Sequence, residues 1–152
     1  MATGVTVHPL SINVQAQSGG THAVILDYTA LTEGDASQVI PLFTVAAKMA
    51  AQLVRVDLLE AFVSSDSSLI STTLSVGIGG AATGQLNAME MNAAGTEVFL
   101  ANGIMTNATR TLFTGDDTID ATVACTTDKL LTTHTAGRVR MIFRIEDNRS
   151  QK

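Results

Sequence analysis

The chain has 152 residues, which sets the scale of a single domain burying roughly 70% of its unfolded surface. A hydrophobic fraction of 45% beside only 15% charged residues excludes a disordered chain, and a net charge of −5 argues against nucleic acid as a partner. With aromatics at 4% and no Trp, the core has to be built from Val, Ile, Leu, Ala and Met.

The N-terminus, MATGVTVHPL, has neither a basic nor an apolar region of the kind a signal peptide needs. Val5, Val7, Leu10, Ile12 and Val14 interleave with polar residues, Pro9 interrupts the pattern, and Ser18-Gly19-Gly20 reads as a joint. Residues 1–22 are therefore expected as an extended segment, either a first strand or an arm reaching a neighbour. Residues 23–152 are expected to form one domain.

Ala23–Thr29 is a compact apolar run, and Thr32-Glu33-Gly34-Asp35 supplies a turn before a strand at Val39–Val45. Pro41 cannot donate to a ladder, so it belongs at an edge or a bulge. Residues 46–63 carry two patterns. Val45, Met49, Leu53, Val56, Leu59 or Glu60, and Val63 fit a helical stripe, strengthened by Ala46, Ala47, Ala50 and Ala51. Against it, Val54, Val56 and Leu58 alternate with Arg55 and Asp57 as a strand requires. A short helical turn at 46–51 followed by a strand from 53 satisfies both.

In the segment leading to Gly77-Ile78-Gly79-Gly80, Ile70, Leu74, Val76 and Ile78 share one face. If 53–63 is a strand, Leu53–Gly80 reads as a hairpin. Ala81–Gly84 reads as a loop, Gln85–Met91 and Glu97–Leu100 as short strands, and Asn102-Gly103 as a turn. Thr109–Phe113, Thr118–Cys125 and Lys129–Thr133 follow as strands. Thr135-Ala136-Gly137 then turns the chain into a terminal strand at Arg138–Asp147, with Val139, Met141, Phe143 and Ile145 inward and Arg138, Arg140 and Arg144 outward. Many short strands with turn signals at this spacing indicate an all-β antiparallel sandwich or barrel. The uncharged stretch Ser67–Met89 is long enough to cross a membrane, but its Ser, Thr, Gly and Gln load makes it a soluble segment.

Four stretches, LSVGIGG (74–80), AAGTEVFL (93–100), GDDTIDATV (115–123) and TTHTAGRVRMIFRIED (132–147), resemble small bacteriophage virion proteins of the head decoration, or capsid cement, type. The resemblance covers residues 70 to 147 and rests on strand-and-turn motifs. It implies a jelly-roll-like β-sandwich, favours the strand reading of 53–63, and implies a homotrimer on the outer capsid surface. The protein would be made in the host cytoplasm and carried in the virion, with the major capsid protein as its partner.

The residues carry little chemistry of their own. Asp116, Asp117 and Asp120 could ligate Ca²⁺, but their spacing suits turn chemistry better. His8, His22 and His134 have no zinc spacing, Gly77–Gly80 lacks the Gly-Lys-Ser/Thr ending of a phosphate loop, and no Gly-x-Ser-x-Gly is present. Cys125, the only cysteine, falls in phase with Ala121 and Val123 as a structural thiol. No enzyme activity, metal or cofactor is expected.

Five of the nine basic residues fall in the last fifteen positions. Arg138, Arg140 and Arg144 on one strand face need carboxylates nearby. Arg55/Asp57 or Asp116/Asp120 within the chain would supply them, or an acidic patch on a neighbouring subunit or on the shell. These arginines, with Val5, Val7 and His8 of the N-terminal segment, are the candidate partner-binding residues. Two alternatives stand beside the decoration role: a virion protein of the neck, tail or fibre, and a carbohydrate-binding sandwich. One Tyr, no Trp and five Phe leave the latter short of aromatic platforms.

Overall fold

Buried and exposed residues alternate along most of the chain, and the backbone follows that period of two. The computed structural model describes residues 3–11, 20–78, 81–92, 97–99 and 111–147. Ile12, Val14, Ser18-Gly19, Gly79-Gly80, residues 93–96, Leu100, the turn expected at Asn102-Gly103, Thr109-Arg110, Arg149 and Lys152 lie outside the described residues. Among the described residues ten strands run in chain order: β1 (Val5–Pro9), β2 (His22–Asp27), β3 (Ser37–Val45), β4 (Met49–Ser64), β5 (Thr72–Ile78), β6 (Ala81–Glu90), β7 (Glu97–Phe99), β8 (Thr111–Leu112), β9 (Asp117–Cys125) and β10 (His134–Asp147). Among the described residues there is no α-helix, only 3₁₀ turns at Tyr28–Ala30 and Leu131–Thr133.

One sheet has the order β1-β2-β10-β4-β7, with β8 also pairing with β4, and the other has the order β3-β9-β5-β6. Every pairing is antiparallel. The chain changes sheet from β2 to β3, β3 to β4, β4 to β5 and β6 to β7, and again on either side of β9. Strand order β2-β10-β4-β7 facing β3-β9-β5-β6 is the winding of a jelly roll, so the expected fold class is observed.

Between the sheets, Val24, Leu26, Leu53, Val56, Val139, Met141 and Phe143 meet Ile40, Leu74, Val76, Leu86, Met89, Ile119 and Val123. Each large aliphatic side chain buried in this way contributes about 1.5–3 kcal/mol. Phe143 packs edge-on against Phe43 with ring centroids 5.1 Å apart. Pro41 lies on the edge strand β3 at a register shift, where its missing N–H costs no ladder bond.

Several local expectations are corrected. Ala46–Lys48 forms a tight turn, not a helical one: Met49 N–H donates to Ala46 O at 3.1 Å, and Lys48 has φ +67. Alanine helix propensity loses there to pairing, because Ala50 and Ala51 are opposite Glu146 and Ile145 of β10 and opposite β8 on the other side. Leu53–Gly80 is not a hairpin, since β4 and β5 belong to opposite sheets. Ile70 precedes β5 and is 76% exposed, not core. Ala81–Gly84 belongs to β6, where Ala81 pairs with Ile78.

Lys129–Thr133 is not a strand. A turn closed by Lys129 N–H on Thr126 O leads into the 3₁₀ turn, and Leu131 N–H donates to Asp35 O at 2.9 Å. Thr135-Ala136-Gly137 is not a turn either but an irregular start to β10, held opposite Val63 and Ser64. Gly137 has φ +141 there, and a Cβ at that position would run into the Phe62 ring.

A further register shift between Ile142 and Phe143 leaves Val54 as the extra residue of β4. Leu53 N–H turns across the sandwich to Gln85 Oε1 on β6, at 2.9 Å, and Gln85 is only 2% exposed. Gln85→Met keeps the volume but leaves this amide unpaired. It is expected to cost about 1–3 kcal/mol, lowering the thermal midpoint by roughly 3–10 °C in a circular-dichroism melt.

Candidate functional site

Period two places the two halves of β10 in different settings. Val139, Met141 and Phe143 are fully buried against the second sheet, while Arg138, Arg140 and Arg144 stand on the outer face. Arg140 lies opposite Asp57 of β4 and donates to its Oδ2 through Nη2 at 2.8 Å and Nε at 3.2 Å. Arg55 Nε holds the other oxygen, Oδ1, at 2.6 Å. The Asp57 side chain is only 5% exposed, so one sequestered carboxylate serves two half-exposed guanidiniums.

Arg140 is therefore paired within the chain, by the Arg55/Asp57 group and not by Asp116 or Asp120. Arg138 is exposed and in register between Asp27 on β2 and Glu60 on β4, and Arg144 is exposed opposite Gln52. The N-terminal candidates are placed by the pairing of β1 with β2. Val5 is buried and Val7 packs against the core, whereas His8 is opposite Ala23 on the outer face. Residues 5–9 are thus a strand of this sheet, and Val5 and Val7 are occupied by the core.

Asp116, Asp117, Asp120 and His134 are committed to architecture. Asp116 Oδ1 accepts from Ala47 N–H, Asp117 Oδ1 from Thr118 N–H, and Asp120 Oδ1 from the Thr118 hydroxyl. Among the described residues no three His, Cys, Asp or Glu side chains group as a metal site would require. His134 is buried: Nδ1–H donates to Leu131 O at 2.8 Å, leaving Nε2 to accept from the Thr72 hydroxyl at 2.9 Å. It ties β10 to β5 in the opposite sheet. Cys125 is half-buried, and desolvation, with a smaller contribution from Asp35, pushes its thiol above the usual range. That suppresses the thiolate, as suits a structural cysteine.

Two surface features were not foreseen. At the end of the sandwich formed by the start of β4 and the close of β10, a cavity of about 270 Å³ is lined by Val7, His22, Phe43, Val45, Met49 and Ile145. Thr44 also lines it, and its walls carry no carboxylate. At the opposite end, loops 31–36, 65–71 and 126–133 gather. Val63, Ile70 and Leu130 are 50%, 76% and 46% exposed there. Sequence alternation had put Ile70 in the core; the warning signal was the Ser-rich segment before it, which breaks the strand. Comparison with protein-family models, curated proteins and solved structures finds no match for this chain.

Removing the shared carboxylate tests the outer-face cluster. Asp57→Ala strands two guanidiniums and is expected to destabilise by about 1–2 kcal/mol, less than a fully buried pair because both arginines reach solvent. Arg140→Ala alone should cost less. A double-mutant cycle read by urea unfolding should give a coupling above about 0.5 kcal/mol.

Proposed function

We propose that the chain is a structural protein of a phage virion, a capsid decoration protein that binds the outer shell and stabilises it by bridging capsomers. The observation that carries this reading is where the resembling motifs fall. LSVGIGG begins on β5, GDDTIDATV leads into and fills most of β9, and TTHTAGRVRMIFRIED runs through β10. Those strands are neighbours or opposites in a jelly roll, an architecture that recurs in viral capsid proteins and in lectins.

The mechanism is mechanical. A protein of 7561 Å² accessible surface has room for a shell contact and two subunit contacts of about 800 Å² each, roughly a third of its area. A homotrimer seated where capsomers meet would add this interface to the shell and oppose internal pressure. The exposed Arg138 and Arg144 are suited to carboxylates of a neighbouring subunit. Asp57 already engages Arg140 within the chain.

A lectin-like role is disfavoured by the aromatics. Phe62, Phe113 and Phe143 are buried, and Tyr28 and Phe43 are partly buried against the core, so none of these five stands out as an exposed sugar platform. The experiment is to mix the purified protein with shells that lack it, with isolated tails, and with immobilised glycans. Saturable co-sedimentation with shells is expected. Retention by glycans or tails without binding to shells would overturn the assignment.

A further inference from the structure

Three of the six exposed large apolar side chains among the described residues, Val63, Ile70 and Leu130, belong to one end of the sandwich. The loops there are held in place. Thr126 Oγ1 accepts from both Ile70 N–H and Ser71 N–H, at 3.0 and 3.1 Å. Asp66 Oδ1 accepts from Ser68 N–H and its hydroxyl, and Lys129 reaches Asp66 Oδ2 at 3.4 Å. Glu90 accepts from Thr72 N–H and the Ser71 hydroxyl, Ser65 N–H donates to Thr133 O, and the His134–Thr72 bond closes the base. Apolar tips fixed in this way lose little entropy when a partner covers them.

The charge around those tips has one sign. Glu33, Asp35, Asp66 and Asp128 lie on the same three loops, and Lys129 is the sole basic residue on them. Glu33, Asp35 and Asp128 are exposed. Such an end rejects an acidic partner surface and steers a basic one into place. The outer face of the first sheet differs, since its arginines alternate with Asp27, Asp57 and Glu60.

We propose that this loop end is the surface by which the protein docks, and that it fits a basic protein surface with an apolar hollow at its centre. This rests on the decoration reading and assigns that hollow, rimmed by Lys or Arg, to the shell protein. Ile70, the most exposed of these apolar side chains, and Leu130 are the loop anchors, and the carboxylates set orientation and encounter rate.

The test uses the full-length protein and shells assembled without it. Two variants alter the loop end: Ile70→Ser with Leu130→Ser, and Glu33→Lys with Asp128→Lys. A control, Lys48→Glu with Leu112→Ser, alters exposed residues at the opposite end. Thermal melts confirm folding. Each loop-end variant is expected to weaken shell binding by about tenfold or more, the control to bind as the native chain does, and native binding to weaken with added salt. Native-like binding by both folded loop-end variants, or loss confined to the control, would overturn the docking surface while leaving the decoration role intact. A native protein that does not bind shells at all would remove both.

Discussion

The pairing of β10 with β4 is the constraint on which the rest depends. It runs from His134 opposite Ser64 to Asp147 opposite Met49, and β10 is flanked on its other side by β2. One register therefore determines two surfaces. Inward, it stacks Val139, Met141 and Phe143 beside Leu58, Val56 and Leu53. Outward, it sets Arg140 opposite Asp57, where a slip of one residue would bury the guanidinium and expose the methionine. The irregularities along the ladder let these long strands stay paired while they follow the curvature of the sandwich.

Three polar ties then fasten the sheets along their length. The Asp116 carboxylate meets the turn at Ala47 at one end, Gln85 crosses to Leu53 in the middle, and His134 meets Thr72 at the other end. The last two are buried, where leaving a donor or acceptor unmade is expensive. A core poor in aromatics gains orientation from such directional contacts. Of the three, the His134–Thr72 bond also closes the base of the loops from which Ile70 and Leu130 project, so stability and the proposed docking surface share that contact.

Strands whose two faces meet different environments were readable from sequence. β10 is the clearest case, and Pro41 pointed correctly to an edge and a bulge. What stayed hidden was pairing at long range. Nothing local tells β4 that its neighbours are β10, β7 and β8 and not β5, which is why Leu53–Gly80 read as a hairpin. Ala46–Ala51 has real helix propensity, overridden by ladder partners nearly a hundred residues away. Thr135-Ala136-Gly137 carries turn composition, yet the glycine is needed for a bulge under Phe62. For the candidate site, the arginine row was legible as a row. Its partner Asp57, 83 positions from Arg140, was one option among several. The loop end escaped notice because exposure at Ile70 depends on where β5 begins.

The most direct measurement is an electron cryo-microscopy map of shells decorated with the native chain. The account predicts density for the sandwich on the outer surface at capsomer junctions, with loops 31–36, 65–71 and 126–133 facing the shell. Density confined to the neck, tail or fibres would contradict it.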